Sequence, residues 1–551
     1  MSRKHGWWLM GVLTVLACES GPVVPGAALE RITPQELSGD IQVLAADSLG
    51  GRGPSSPGED KTVRFMTSRF QSMGLEPGNG DSWTQEVPLV SINATRTGPL
   101  STRGGGTVER FTFGDQYVAW TKRVVPTVNL DASDLVFVGY GIVAPEYDWN
   151  DYAGLDVRGK TVVILVNDPG FATGDSALFT GHAMTYYGRW TYKYEEAARQ
   201  GAAGALIVHE TAPAAYGWDV VRNSWTGPQF DLERPDGNAS RVAVEGWITL
   251  DAARTIFRQA GADYDQLRDR ASQRGFQPVD LGVSASVSIG NTIERSKSHN
   301  VIARLPGTGA PDEYVLYMAH WDHLGTDPNA TGDGIYNGAV DNGTGSAALL
   351  ALADAFSHLG TRPRRSVLFL SVTAEEQGLL GSAYFGANPT VPLRQIAAAI
   401  NMDAMNVTGP THDVTVIGYG KSDLDALVEQ AAADQGRVVR PDGEPEKGYY
   451  YRSDHFSLAK YGVPAVYVDA GVDNVEHGEA WGRAQAADYN QHRYHQPSDE
   501  FDPNWDLSGL TQDVRLLFRV GYRVATGSDW PNWHEGTEFR AARDAMRPDG
   551  S

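Results

Sequence analysis

The chain has 551 residues, too many for one ordinary hydrophobic core, so two or three domains are expected. Its 68 acidic against 46 basic side chains leave a formal net charge of −22, which excludes nucleic acid or an anionic membrane surface as the main partner. A hydrophobic content of 41% with 10% aromatics is that of a globular chain rather than a disordered or fibrous one.

The first element in chain order is an address. Arg3 and Lys4 precede an apolar run from Trp7 to Ala17, too short to span a bilayer but suited to a signal-peptide core. Val15-Leu16-Ala17-Cys18 resembles a bacterial lipobox, in which the cysteine becomes the lipidated first residue of the exported chain. Cys18 is also the only cysteine, so no internal disulfide is expected. Residues 1–18 therefore read as a lipoprotein signal and 19–29 as a Gly/Pro tether. Both imply export and lipid anchoring to the cell envelope, on the outer membrane in a double-membrane host. No later segment carries eighteen uninterrupted apolar residues.

Residues 30–125 open with ITPQELSGDIQVLAADSLGGRG and EDKTVRFMTSRFQSMGLEPG, two amphipathic helical patterns, the second closing at Gly74 as a helix C-cap. Residues 126–290 hold a βα-patterned block with DLVFVGYGI, GKTVVILVND and AARQGAAGALIVHE. Its stretch from Asp168 to Trp190 is rich in aromatics, which serve either a side-chain pocket or a local core. From residue 291 to 530, HNVIARL, YVLYMAHWD, SVLFLSVTAEE, IAAAINMDAM and VPAVYVDAG are strand candidates. GTGSAALLALADAFSHL and KSDLDALVEQAAADQG are the helix candidates among them, and residues 531–551 remain as a C-terminal tail. Strands alternating with helices predict an α/β fold with a largely parallel sheet.

In such sheets reactive groups gather beyond the carboxyl ends of the strands. His320 and Asp322 follow one strand, Glu375 and Glu376 the next, and Asp403 a third. Asp341 lies in GAVDNGTG ahead of a helix, and His495 in the polar loop YHQPSDE. Singly these have ordinary explanations: a lone histidine is more often hydrogen-bonded than a ligand, and Asp341 before Asn-Gly suits a turn or an N-cap. Jointly they do not, because burying several carboxylates without cations costs several kcal/mol each or forces protonation. A His/Asp/Glu set without cysteine fits zinc, whereas calcium prefers oxygen throughout and magnesium rarely takes two imidazoles. Five ligands serve two ions only if one carboxylate bridges, and each ion then keeps an open position of the catalytic kind.

The order HWD, GAVDNGTG, AEEQGLLGS, NMDAM, YHQPSDE resembles metallopeptidase family 28, the co-catalytic di-zinc aminopeptidases. The resemblance runs from about 299 to 527 and extends to LAADSLGGRGPSSPGEDK, while the middle block resembles an inserted protease-associated domain. It implies a zinc-exopeptidase fold, a mostly parallel mixed sheet flanked by helices, with a smaller β-rich α/β insert. It implies two zinc ions per chain, one held by His320 and Asp403, the other by Glu376 and His495, with Asp341 bridging. Glu375 would be the general base and Asp322 would orient His320. Tyr449-Tyr-Tyr-Arg-Ser-Asp-His455 resembles the family's RSDH segment, which implies substrate contacts from Tyr450, Tyr451, Arg452, Asp454 and His455, with a tyrosine on the oxyanion. The peptide bond after Asp341 would be cis.

The implied activity is an exported aminopeptidase acting on peptides. A carboxypeptidase or dipeptidase on the same two metals is the nearest rival. A non-catalytic, receptor-like binding protein is disfavoured because the ligand set and base are complete.

Overall fold

The computed structural model describes residues 23–547; the expected signal sequence and Cys18 lie outside them. Two hydrophobic cores are joined by one 27-residue strand, Val279–Leu305. Its carboxyl half pairs with Arg365–Val372 and its amino half with Thr127–Phe137, so one continuous sheet runs through both units.

In the larger unit, Arg365–Val372, Ala310–His320, Ile396–Asn401 and Ala465–Asp469 lie side by side and parallel. Asp413–Ile417 adds antiparallel, and Val438–Pro441 runs parallel to it. Arg365–Val372 and Ile396–Asn401 are buried at every residue, because helices cover both faces. One face carries Pro34–Leu44, Gly345–Ser357 and Ser508–Thr526, where Phe356 meets Phe518 at 4.6 Å between ring centroids. The other face carries Phe385 of Leu380–Ala387 and Phe456 of His455–Ala459. The parallel register makes three strands end together, which is what brings their trailing residues to one place.

The amphipathic amino-terminal helices form as expected, over Pro34–Leu44 and Pro57–Ser72. Ser56 caps the second by accepting from the amides of Gly58 and Glu59, with proline in the first turn. The expected tether ends earlier than residue 29: a short helix begins at Gly26, and Ala28 is buried in the main core.

The smaller unit is built on three parallel strands, Thr161–Leu165, Gly204–His209 and Val244–Thr249. Tyr117–Trp120 closes one edge antiparallel, and Leu100–Gly104 with Thr107–Phe111 extends the other side through Val279–Leu305. Leu100, Phe111, Tyr117 and Ala119 therefore belong to this second core, ahead of the block read from sequence. The aromatics between Asp168 and Trp190 mostly form a local core, with Phe179 stacked on Tyr147 at 4.4 Å and edge-on to Trp149 at 5.4 Å.

The units meet along packed side chains. Tyr186 reaches across to Phe456 at 5.1 Å between centroids, and Lys460 pairs with Glu195 at 2.7 Å. The carboxyl-terminal segment is packed rather than a free tail: Trp533, Phe539 and Arg543 are buried, and a helix spans Arg540–Met546. Among the described residues no helix is long and apolar enough to cross a membrane.

Candidate metal centre and substrate cavity

His320 is the last residue of its strand, and Glu375, Glu376 and Asp403 follow the next two within four residues. Asp341 sits in the turn feeding Gly345–Ser357, and its peptide bond to Asn342 is cis. Gly338 three residues earlier needs its left-handed φ of 56°, and a Cβ there would lie 2.6 Å from the His323 ring. His495 arrives on the loop after Glu479–His492.

The five expected ligands converge. His320 Nε2 lies 3.2 Å from Asp403 Oδ1 and 3.3 Å from Asp341 Oδ1. His495 Nε2 lies 3.3 Å from Asp341 Oδ2 and 3.0 Å from Glu376 Oε2. Asp341 thus offers one oxygen to each histidine, the arrangement a bridging carboxylate requires. These separations match the ~3.3 Å donor–donor edge of a tetrahedron with zinc bonds of ~2.0 Å. His495 Nε2 is buried and makes no hydrogen bond despite its two carboxylate neighbours. A ring nitrogen so placed, beside two carboxylates, fits a cation better than it fits protein partners.

The carboxylates have distinct surroundings. Burial pushes the Glu375 carboxyl well above its usual range, and the charges of Asp403 and Glu376 add to this against the opposing pull of His320. Asp341 is held well below the usual range: burial acts upward, but the adjacent imidazoles of His320 and His495 outweigh it. Burial would lower the His495 pKa, yet Asp341 and Glu376 push it up to about 10.

Asp322 is placed differently from the expectation. His320 Nδ1 faces the Asp322 carbonyl at 3.1 Å, while the carboxylate stands off at 3.9 Å. That carboxylate instead accepts from the amides of Glu375 at 3.1 Å and Glu376 at 3.4 Å, fixing the turn that separates the two glutamates. The adjacent glutamates consequently point to different tasks: Glu376 joins His495, and Glu375 makes no ion pair among the described residues and lines the cavity.

Several supporting residues escaped the sequence reading. His323 is fully buried with Nδ1 2.5 Å from Glu376 Oε1, and with Asp341 and Glu376 it forms a further metal-competent group. Its signal was a second histidine three positions after His320. Asp499 accepts from the amides of Val340 at 3.0 Å and Asp341 at 3.1 Å. Buried Arg52 donates to the carbonyls of Leu44, Asn337, Gly338 and Trp321, tying the first helices to both ligand-bearing loops. Ser453 donates to Asp403 Oδ2 at 2.6 Å.

A cavity of about 2540 Å³ opens over the centre and is walled by both units, with Glu375, Asp403 and His495 on one side and Trp190, Tyr194 and Trp225 from the smaller unit. Of the substrate contacts expected from the RSDH segment, Arg452 and Tyr451 line it. Tyr450, Asp454 and His455 are buried beneath it instead. The Tyr450 hydroxyl faces the Ala465 carbonyl, and that of Tyr451 donates to Glu538 at 2.7 Å, so neither hydroxyl is directed at the centre. Tyr494, stacked on His495 at 3.9 Å, and Tyr467, whose hydroxyl donates to the Asp403 carbonyl at 3.4 Å, are the tyrosines beside the ligands.

Residues 300–518 match the model of "Peptidase family M28". Leupeptin-inactivating enzyme 1 of Streptomyces exfoliatus is 29% identical over 262 residues, 47% of this chain and 55% of its own. Aminopeptidase NAALADL1 of Mus musculus is 36% identical over 137 residues, 23% of this chain and 17% of its own. The chain thus spans about half the length of the first of these curated relatives and less of the second. Among solved structures, an aminopeptidase from Aneurinibacillus sp. strain AM-1 aligns over 91% of this chain and 96% of its own, with 20% identity and a TM-score of 0.49.

Proposed function

From the match of residues 300–518 to the peptidase family M28 model, we propose that the protein is a zinc-dependent exopeptidase, and within that class an aminopeptidase. The observation that carries this reading is Asp341, whose two oxygens face His320 and His495 while Glu375 stands free beside them in the cavity. His320 and Asp403 would hold one zinc ion, Glu376 and His495 a second, and Asp341 would bridge. Bound zinc lowers the pKa of a coordinated water from 15.7 to about 7 and polarises the scissile carbonyl.

The chain's own residues do the rest. Glu375 takes the proton of the attacking water and returns it to the leaving amine. Asp322 keeps it in place by fixing its backbone amide. Ser453 holds one Asp403 oxygen so that the other faces His320. Asp469, a half-buried carboxylate lining the same cavity, supports the reading of a free amino end, since its one hydrogen bond comes from the Ala470 amide. The names of the two relatives, a leupeptin-inactivating enzyme and an aminopeptidase, point the same way. We assign the smaller unit to a protease-associated domain that walls the cavity and limits it to short or unstructured chains. Export and lipid anchoring through Cys18 complete the proposal.

Metal analysis of protein lacking residues 1–18, paired with hydrolysis of aminoacyl-anilides and their N-blocked counterparts, tests the reading. The expected result is about two zinc ions per chain and chelator-sensitive activity on free-amine substrates alone. Activity on blocked or carboxyl-terminal substrates would overturn the aminopeptidase assignment in favour of a carboxypeptidase. Absence of zinc and turnover would indicate a binding protein.

A further inference from the structure

Where the two units meet, three cations face one small recess of the cavity wall. Arg189 comes from the smaller unit, Lys447 and Arg452 from the larger, and Tyr216 completes the polar lining; among the described residues no carboxylate lines it. Its volume is about 50 Å³, enough for one small anionic group. Arg189, Lys447, Arg452 and Tyr216, with Trp190, also line the large cavity, of which the recess is a side pocket.

Lys447 is satisfied by Glu444 at 2.6 Å. The two arginines are not. The Arg189 guanidinium makes no hydrogen bond or ion pair among the described residues, and its Nε is buried without a partner. Arg452 is exposed and, among the described residues, makes only a face contact with the Tyr449 ring, at 5.4 Å. Other arginines of the same cavity do have carboxylates: Arg241 with Asp231, Arg440 with Asp413, and Arg483 with Glu479. Burial, with the neighbouring charge of Arg452 as a smaller cause, lowers the Arg189 pKa to about 10. Two guanidiniums held near each other without an anion repel, and a planar carboxylate that accepts from both relieves the repulsion.

The recess also lies close to the chemistry. Arg452 directly precedes Ser453, whose hydroxyl holds Asp403. The side chain of Arg452 therefore starts one residue from a group in contact with Asp403, and at ~3.3–3.6 Å per residue a short extended peptide can reach from the centre toward it.

We propose that Arg189 and Arg452 form a carboxylate subsite, which receives a carboxylate of a short peptide whose amino end lies at the metal centre. The inference rests on the exopeptidase reading and narrows it to small peptides that carry such a group within two or three residues of the amino end. The carboxylate is either the terminal one of a di- or tripeptide or an acidic side chain.

The test compares kcat/KM for Leu-Gly, Leu-Gly-amide and Leu-Glu-amide in the wild type and in Arg189→Gln and Arg452→Gln. The expected wild-type result is a preference of about tenfold or more for a carboxylate-bearing substrate over Leu-Gly-amide. Leu-Gly favoured alone identifies the terminal carboxylate, and Leu-Glu-amide favoured as well identifies the side chain. Either substitution should bring the preference close to one, chiefly through KM. No preference in the wild type, or one that survives both substitutions, overturns the subsite. Calorimetry with zinc-loaded Glu375→Gln separates the two claims, because it reads binding without turnover. Leu-Gly should bind it and bind Glu375→Gln/Arg189→Gln about tenfold more weakly, even if the hydrolase assays fail. Equal binding to both proteins overturns the subsite.

Discussion

The two sides of the candidate metal centre are built differently. His320, Asp341, Glu376 and Asp403 have side chains 1%, 5%, 2% and 14% exposed, and they stand at the ends of buried strands or in a buried turn. His495 is 34% exposed and follows a helix, Glu479–His492, that buries none of its residues. The first side inherits its precision from the sheet, whose register leaves these residues little freedom. The second side is held by local means: Tyr494 stacked on His495, and Asp499 bonded to the amides of Val340 and Asp341. One half of the site is therefore placed by the core, and the other is attached to it.

The sharpest way to break this comparison is to remove ligands on each side. Asp341→Ala, which deletes the shared carboxylate, should abolish binding of both zinc ions and all turnover. His495→Ala should remove one zinc ion and leave about one bound by the strand-borne half, as metal analysis after dialysis would read. Equal loss in the two variants would contradict the proposed division. Next in size, Glu375→Gln should retain its zinc and lose ~10²–10⁴-fold in kcat, the usual worth of a general base. Full activity of that metal-loaded variant would refute the assignment. Asp499→Ala cuts the link between the halves without removing a ligand side chain. Zinc affinity on the His495 side should fall by ~10–100-fold, as for other residues that orient ligands, while the first zinc stays in place.

The same difference explains what could be read from the sequence. Strands buried on both faces appear as unbroken apolar runs, so SVLFLSV and IAAAIN announce their own ends, and the residues beyond them are ones that the structure brings together. His495 was found through the resemblance of YHQPSDE, since a histidine in a polar loop has no periodicity to mark it. Arg52, His323 and Asp499 were missed because their roles depend on contacts across as many as 286 positions of chain, which no local pattern records. Tyr450 and Tyr451 were expected at the substrate, yet their hydroxyls turn elsewhere. Their rings instead cluster with Phe539 and Tyr186, from a segment read as a tail and from the other unit. Aromatic residues beside a site carry two competing demands, and the interface took these. Similarly, Leu100–Phe111 gave no hint that its partners lay 180 residues onward in the long shared strand.

The smallest expected effect tests whether the centre's asymmetry is its own or reflects the seating of the smaller unit. Glu195 of that unit pairs with Lys460 of the larger one, beside the cavity, and also accepts from the Tyr186 hydroxyl. Burial acts to raise the Glu195 pKa, but the Lys460 charge and these hydrogen bonds hold it down at about 2. A carboxyl with a depressed folded pKa contributes stability that is present in full above its unfolded value, 4.5, and is lost as pH falls toward about 2. Glu195→Gln should therefore lower stability by ~1 kcal/mol at pH 7, the scale of a partly exposed pair, and the difference from wild type should shrink between pH 4.5 and 2. Denaturant unfolding at several pH values reads both. Zinc occupancy at pH 7 should be unaltered on each side of the centre. If Glu195→Gln selectively empties the His495 side, then that side is steadied by the smaller unit rather than by Asp499, and the attachment lies in the wall of the cavity.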